Sequence, residues 1–255
     1  MPEYLEFAQM LAAQAGTIMQ SEREGRLRIQ QKPDRTLVTH VDLAINDLAI
    51  DAIRQNFRGH RVKGEERSFG PVDAEHVWWV DPLDGTGNYI DGEDLEDLTY
   101  GFGIAKQYRG NLEVGLFLSP PKDELYTAAH GLGAYMNGSP IRVSNRAFQI
   151  GTPYDYSHWE GAEPDGRRLE QQLGAPLGHY SAIYQGCMVA AGKSAFSVFP
   201  GSTGHDIAPA AILVAEAGGK TTDVLGQEHN FNTGLQGAVF SNGVVHRQVL
   251  DILAA

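Results

Sequence analysis

The segment WVDPLDGTGN, residues 79–88, places two aspartates three residues apart, on either side of a proline and ahead of a glycine-rich turn. The apolar run HVWWV that ends before Asp81 predicts a buried strand, so Asp81 is expected at its carboxyl end, where open sheets commonly bind ligands. Pro82 fixes the backbone, which lets Asp81 and Asp84 converge on one point. Two carboxylates about 4 Å apart repel by roughly 4 kcal/mol at an effective dielectric constant of about 20, so the pair requires a shared proton or a cation.

The candidate ligands in this segment are all oxygen atoms. The Leu83 carbonyl can face the same point as the two carboxylates, and no histidine or cysteine stands in the turn. Such a donor set favours a hard cation such as magnesium. Gly85 and Thr86 leave backbone N–H groups free at a possible helix start, a position that suits a phosphate. The structural alternative is an ordinary Asp-Gly turn.

Three further segments carry carboxylates, and each has a structural as well as a chemical interpretation. Glu65 follows a glycine in KGEERSFG, where a lone charge usually faces water. Thr39 and Asp42 have the spacing of a helix capping box. Asp206 stands at a predicted helix start, where the helix dipole favours a carboxylate. His205 beside it is a possible ligand, but a packing or surface role is the preferred interpretation because the other candidate ligands are hard oxygens.

Amphipathic helices and short strands surround these segments. Apolar residues at spacings of three and four predict a first helix over 3–22 and a second from Thr39 to about residue 57. Residues 99–145 are divided by Gly, Pro and Asn into short segments typical of an antiparallel meander. The pattern of the remainder alternates helices with short strands, and the further predicted helices cover 166–173, the first part of 181–200, 204–217 and 244–253.

Composition limits the class of protein. The 255 residues are enough for one large domain or two closely packed halves, and 42% apolar with 20% charged residues is an ordinary globular balance. Acidic residues outnumber basic ones 32 to 20, a formal charge of −12, whereas nucleic-acid-binding proteins usually have the opposite sign. No apolar run is long enough to span a bilayer, and the N-terminus does not resemble a signal peptide. The single Cys187 excludes an internal disulfide and fits a reducing cytoplasmic location.

Together, these segments resemble the inositol monophosphatase family of metal-dependent phosphomonoesterases over nearly the whole chain, residues 4–253. The family motif Asp-Pro-Leu/Ile-Asp-Gly-Thr with a following Asn stands at 81–88, and the Gly-Glu-Glu element stands at 64–66. The C-terminal signature starts at Asp206, continues through an Ala-Ala pair and ends in Glu-Ala-Gly-Gly at 216–219. Each motif alone is weakly specific, but all three occur in the family's order.

The resemblance implies a fold of mixed α+β and α/β character, a five-layered αβαβα sandwich of the inositol monophosphatase and fructose-1,6-bisphosphatase type. It implies an N-terminal α+β half over 1–145 that carries most metal ligands. It also implies a C-terminal α/β half over 146–255 that carries Asp206 and the residues that determine substrate specificity. The change of sequence texture near residue 145 supports this division.

The resemblance also assigns roles at the site. The implied magnesium ligands are Glu65, Asp81, Leu83, Asp84 and Asp206, with Leu83 acting through its carbonyl. Asp81 would be shared by two ions, and Glu65 would reach a third ion through water. The implied catalytic residues are Asp42, Thr86 and Glu65. Thr86 and Asp42 would orient and deprotonate the water that attacks the phosphate.

The substrate side departs from the inositol-specific pattern. The implied substrate-binding residues are Gly85, Thr86, Ser181, Ala182, Phe199 and Asp206, with the N–H groups of Gly85 and Thr86 on the phosphate. Inositol-specific members carry a glutamate seven residues before the last metal aspartate, whereas this chain has Phe199, which cannot accept a hydroxyl hydrogen bond. Their Gly-Thr-Ala corresponds here to Tyr180-Ser181-Ala182, and Gly87 replaces a frequent Thr or Lys. The alcohol therefore stays open between inositol, histidinol, a sugar and a nucleotide.

The sequence thus predicts a magnesium-dependent phosphomonoesterase that acts on a small molecule and binds neither nucleic acid nor a membrane. The resemblance further implies a cytoplasmic, lithium-sensitive homodimer. Two alternatives belong to other classes of protein: a regulatory protein that keeps the fold and binds a partner, and a sensor of metal or sugar phosphate without turnover. Clustered carboxylates argue against the regulatory alternative, because unpaired buried charge costs stability.

Overall fold

The structure is a computed structural model, and it describes residues 2–23, 25–92, 98–157, 162–179 and 181–255. Within these ranges the helices are α1 (Pro2–Arg23), α2 (His40–Asn56), α3 (Thr86–Asp91), α4 (Glu163–Leu173), α5 (Ala182–Ala190), α6 (Gly204–Glu216) and α7 (His246–Leu253). The first strands are β1 (Ile29–Gln31), β2 (Leu37–Thr39), β3 (Arg61–Gly64), β4 (Ser68–Phe69), β5 (His76–Asp84), β6 (Gly101–Tyr108) and β7 (Asn111–Ser119). The others are β8 (Glu124–Ala129), β9 (Gly133–Met136), β10 (Ser139–Ile141), β11 (Tyr154–Tyr156), β12 (Phe196–Phe199), β13 (Lys220–Thr222) and β14 (Ala238–Ser241). None of the described helices is both long enough and apolar enough to cross a membrane.

The larger sheet has the strand order β10-β9-β8-β7-β6-β5-β3-β4. Strands β5 to β10 pair in sequence as antiparallel neighbours, which confirms the predicted meander, and β3 pairs with β5 in parallel. Alternate residues of β5 enter different cores: Trp78 and Val80 pack with α1 and α2, whereas Val77 and Trp79 pack with α5 and α6. The strand is therefore apolar on both faces because helices cover both faces of the sheet.

The smaller sheet has the order β11-β12-β14-β13, in which β11 and β12 are parallel and the other pairs are antiparallel. Helices α5 and α6 lie between the two sheets, and α4 and α7 cover the outer face of the smaller one. The layers are therefore α1/α2, the larger sheet, α5/α6, the smaller sheet and α4/α7. This arrangement confirms the predicted αβαβα sandwich. The proposed division at residue 145 stays a prediction; the central core contains residues from both halves, such as Trp79 and Phe240.

Candidate functional site

A β-bulge in β5 brings both motif aspartates to one site. Asp81 pairs with Gly103 and Asp84 pairs with Gly101, so β5 carries one residue more than β6 between these pairs. In a regular strand, residues three apart point to opposite faces of the sheet, and the extra residue returns Asp84 to the face of Asp81. The prediction that the strand ends at Asp81 was wrong, because pairing with β6 resumes after the bulge and extends the strand to Asp84.

Three aspartates from two distant segments form a compact group in which Asp81 and Asp84 are buried and Asp206 is partly buried. Asp81, Asp84 and Asp206 each offer a carboxylate oxygen, and these oxygens all lie within 4.8 Å of one another. Asp206 lies in the first turn of α6 and accepts a hydrogen bond from the Thr203 hydroxyl. His205 lies beside the group, with its Nε2 atom 3.6 Å from Asp206 Oδ2.

Asp84 is held by the N-terminus of α5. Its carboxylate accepts hydrogen bonds from the backbone N–H groups of Ala182, at 3.0 Å, and Ile183, at 2.8 Å, and from the Ser181 hydroxyl. Ser181 also caps α5 by accepting a bond from Tyr184 N at 3.2 Å. Two of the residues predicted to bind substrate, Ser181 and Ala182, therefore contact a site carboxylate. Their N–H and O–H groups, together with the helix dipole, stabilise the Asp84 carboxylate as an anion.

Asp42 and Thr86, the two residues that the family resemblance assigns to the attacking water, lie in contact. The Thr86 hydroxyl lies 3.0 Å from Asp42 Oδ1 and 2.9 Å from the Leu83 carbonyl oxygen. The other oxygen of Asp42 accepts hydrogen bonds from Thr39 N and Thr39 Oγ1, at 2.8 and 2.5 Å, which completes the predicted capping box of α2. Asp42 thus caps a helix with one oxygen and contacts the Thr86 hydroxyl with the other.

Glu65 lies at the end of β3, where its N–H donates to Val80 O at 3.0 Å and continues the parallel ladder. Its carboxylate forms an ion pair with Lys32 of the β1–β2 hairpin, at 2.6 Å, and Lys32 makes a second contact of 2.6 Å with Glu66. Burial alone would lower the pKa of Lys32, but the two glutamates hold it above its usual range. Lys32 was not among the residues predicted to form the site.

The aspartate group retains protons more strongly than ordinary carboxyls do. Burial, and then the charges of Glu65 and the two neighbouring aspartates, raises the pKa of Asp81 well above its usual range. Burial and Asp206 raise the pKa of Asp84 to about 7, against the lowering effect of the hydrogen bonds from α5. Burial raises the pKa of Asp206 to about 7. Such a group is stable only when protons or cations offset its charge.

Gly85 and Phe199 are the remaining predicted site residues. Gly85 precedes α3 with φ 83°, and a Cβ at this position would lie 2.5 Å from Thr99 O, so the turn requires glycine. Phe199 ends β12 and is buried, with 4% of its surface exposed. Tyr180 lies outside the described residues.

The fold and the site define a layered αβαβα protein with a group of three aspartates beside a Thr–Asp pair. The sequence profile of the inositol monophosphatase family matches residues 1–254. The chain belongs to the inositol monophosphatase family.

Curated relatives and solved structures agree with this membership. The Nus factor SuhB of Pseudomonas aeruginosa is 32% identical over 246 residues, which cover 91% of this chain and 89% of the relative. The histidinol-phosphatase of Chlorobaculum parvum is 30% identical over 251 residues, which cover 96% of this chain and 95% of the relative. The solved IMPase of Thermotoga maritima superposes with a TM-score of 0.88 at 27% identity, covering 99% of this chain and 97% of that chain.

Proposed function

We propose that the chain hydrolyses a small phosphomonoester to an alcohol and inorganic phosphate in a magnesium-dependent reaction. The observation that carries the proposal is the convergence of Asp81, Asp84 and Asp206 within 4.8 Å, next to the hydrogen-bonded pair of Thr86 and Asp42. Carboxylates at this spacing, buried in a low-dielectric interior, fit hard divalent cations. The raised pKa values of the three aspartates show that ionising them costs free energy in the absence of a cation, and a bound cation would offset that cost.

The proposed magnesium ligands are Asp81, Asp84, Asp206, Glu65 and the Leu83 carbonyl. Bound magnesium would neutralise the charge of the phosphate and lower the pKa of water. Thr86 orients the attacking water through its hydroxyl, which passes a proton to Asp42 Oδ1 as it receives one from the water. The water oxygen forms a bond to phosphorus while the bond from phosphorus to the alcohol oxygen breaks, and the departing alcohol oxygen takes a proton from a solvent water.

Asp42 is suited to accept the proton. Burial raises its pKa above the usual range, while two hydrogen bonds from Thr39 hold its orientation. A base with a pKa nearer to the working pH transfers protons more effectively. The N–H groups of Gly85 and Thr86, at the start of α3, are proposed to bind the phosphate, and Glu65 is proposed to act with the Thr–Asp pair.

The identity of the alcohol depends on the C-terminal half. Phe199 presents a ring where inositol-specific relatives have a hydroxyl-binding glutamate, which favours an alcohol with an apolar or aromatic part. Histidinol phosphate is therefore the second candidate substrate, and the histidinol-phosphatase relative supports it. We also propose that the protein is a homodimer, that lithium inhibits it and that it is located in the cytoplasm. Light scattering tests the dimer, and a lithium titration of phosphate release tests the inhibition.

The experiment that tests the function is phosphate release from a substrate panel with magnesium and with EDTA. The panel contains inositol 1-phosphate, histidinol phosphate, a sugar phosphate and a nucleoside 3′-phosphate. Release from at least one ester, present with magnesium and lost with EDTA, supports the proposal. Magnesium binding without release from any ester would support the sensor alternative instead. Retained binding of a protein partner by a variant that lacks turnover would support a regulatory role.

A further inference from the structure

A fully buried aspartate of the smaller sheet contacts the segment that leads into α5. Asp155 is the middle residue of β11, and its neighbours Tyr154 and Tyr156 pack into the outer core with α4 and α7. Because successive side chains of a strand alternate, Asp155 points to the inner face of the sheet, where α5 lies. None of its surface is exposed to solvent. A buried carboxylate is costly unless it is paired and hydrogen-bonded, so its partners indicate what it holds in place.

His179 supplies two of the partners of Asp155. Its backbone N–H lies 3.2 Å and its ring Nδ1 atom 2.9 Å from Asp155 Oδ1, while the Ser194 hydroxyl lies 3.2 Å from Oδ2. An ionised carboxylate only accepts hydrogen bonds, so the Nδ1 atom carries a proton. The His179 ring also packs edge-on against Tyr184, with the ring centres 5.3 Å apart. Asp155 therefore fixes both the backbone and the ring of His179.

Gln185 joins the same segment to α5 and to the smaller sheet. Its Nε2 atom donates to the His179 carbonyl oxygen at 2.6 Å, and its Oε1 atom accepts the Ser157 hydroxyl at 2.9 Å. Ser157 follows β11 directly, and its N–H donates to Val198 O of the neighbouring strand at 2.9 Å. Gln185 is buried as well. A buried polar network whose members are paired in this way holds one arrangement of the segment.

The start of α5, two residues after His179, holds a proposed metal ligand. The Ser181 hydroxyl and the N–H groups of Ala182 and Ile183 donate to Asp84. The first N–H groups of a helix have no acceptor within the helix, so the Asp84 carboxylate is the acceptor that these two N–H groups use. The orientation of Asp84 therefore depends on the position of the first turn of α5. Two residues of chain span at most about 7 Å, which ties this turn closely to His179.

We propose that Asp155 and His179 are positioning residues for the metal site. They hold the start of α5 at the place where its N–H and O–H donors fix the Asp84 carboxylate. The inference rests on the proposed function, because Asp84 is one of the proposed magnesium ligands. The ring atom of His179 that acts is Nδ1, which contacts Asp155, and Nε2 has no part in the effect.

Amide hydrogen exchange of the metal-free protein, measured in EDTA, tests the positioning independently of turnover. In His179→Ala, exchange at Ala182 and Ile183 is expected to become at least about tenfold faster relative to exchange at Val189, near the end of α5. His179→Asn places an amide N–H donor where the Nδ1 atom stands and has no counterpart of Nε2, so it should restore the wild-type ratio. His130→Ala, at an exposed position, is the control and should leave the ratio unchanged.

Calorimetric titration with magnesium is the second measurement. Removal of a residue that orients a metal ligand typically weakens metal binding by about 10- to 100-fold, so the Kd for magnesium should rise at least about tenfold in His179→Ala. His179→Asn should bring it back to within about threefold of the wild-type value. Faster exchange throughout α5 with an unchanged ratio would show a general structural role and overturn the inference. Equal defects in the two variants would also overturn it, because they would assign the effect to Nε2.

A fallback variant covers the case in which His179→Ala leaves Asp155 unpaired and does not fold. Asp155→Asn combined with His179→Ala then replaces it, because the buried position carries no charge, and the same exchange ratio is expected. If wild type binds no magnesium or hydrolyses no ester, the proposed function fails, and the exchange ratio alone decides whether His179 positions the donors of Asp84. A ratio that is equal in wild type and in the variant that lacks the His179 ring would refute the inference.

Discussion

Removing one charge from the aspartate group is expected to stabilise the metal-free protein. Burial raises the pKa of Asp206 from 3.8 to about 7. Between these two values the folded state holds a proton that the unfolded state has lost, so the free energy of unfolding falls as the pH rises from about 4 to about 7. The difference between the folded and unfolded pKa values of Asp206 lowers the free energy of unfolding by about 4 kcal/mol at pH 8 and by less than half of that at pH 5.

Asp206→Asn removes this cost and keeps a side chain of the same shape. The amide oxygen can accept the Thr203 hydroxyl, and the amide nitrogen can donate to the Asp81 carboxylate. The substitution replaces one hydrogen-bond acceptor with a donor, so we expect only about half of the 4 kcal/mol to appear as increased stability. The free energy of unfolding should therefore rise by about 2 kcal/mol at pH 8. For a chain of this length the midpoint of thermal unfolding, Tm, should rise by about 4 to 8 °C.

Thermal unfolding in EDTA at pH values from 5 to 8 measures the effect. The variant should gain most at pH 8 and little at pH 5, and its Tm should vary less with pH than that of wild type. Asp73→Asn, which removes the same charge from an exposed position, is the control and should change the Tm by less than about 2 °C. A Tm for Asp206→Asn at or below that of wild type at pH 8 would refute the electrostatic interpretation of the site.

Three further substitutions test separate parts of the account. Thr86→Ala should lower kcat by at least about a hundredfold with little change in KM, because it removes the hydroxyl between the water and Asp42; steady-state kinetics measure both constants. Phe199→Glu should raise kcat/KM for inositol 1-phosphate relative to histidinol phosphate by about tenfold, measured in a competition assay, because a carboxylate can accept the sugar hydroxyls. Gly85→Ala should destabilise the fold by about 2 kcal/mol or more, measured by thermal unfolding, because its φ is 83° and the new Cβ would clash with Thr99 O.

Each of these substitutions has a control or a contradicting result. Thr233→Ala makes the same change as Thr86→Ala at an exposed loop position and should keep wild-type kinetics. Gly87→Ala is the control for Gly85→Ala, because a Cβ at Gly87 would meet no atom within 4 Å. An equal loss of stability in the two glycine variants would show that the turn does not need its left-handed residue. A wild-type preference for inositol 1-phosphate would contradict the interpretation of Phe199.

Features that depend on nearby residues were predictable from the sequence. The capping box of Thr39 and Asp42 lies within one helical turn, so the types of these two residues determine its geometry locally. The main helices and the meander follow from periodic apolar residues and turn residues in the same way. Only the family motifs indicated that distant segments meet at one site, because the periodicity of apolar residues carries no information about contacts between segments.

Features that depend on partners from elsewhere in the chain were not predictable. The β-bulge that unites Asp81 with Asp84 exists only through pairing with β6. The pairing of Lys32 with Glu65 joins a hairpin to a strand 33 residues away. Ser181 was expected to contact substrate, but its contact with Asp84 requires that α5 begin directly above β5. In each case, contacts with a distant segment decide which of several locally possible conformations or side-chain partners is adopted.

Phosphate release by wild type and Asp81→Asn, each with magnesium and with EDTA, decides whether the aspartate group is a metal-dependent phosphatase site. Wild type is expected to release phosphate with magnesium only. Asp81→Asn, which keeps the side-chain shape and removes the charge at the centre of the aspartate group, is expected to fall to the level measured in EDTA. Release by Asp81→Asn at a substantial fraction of the wild-type rate, or equal release by wild type in EDTA, would contradict the assignment of these aspartates to a metal-dependent phosphatase site.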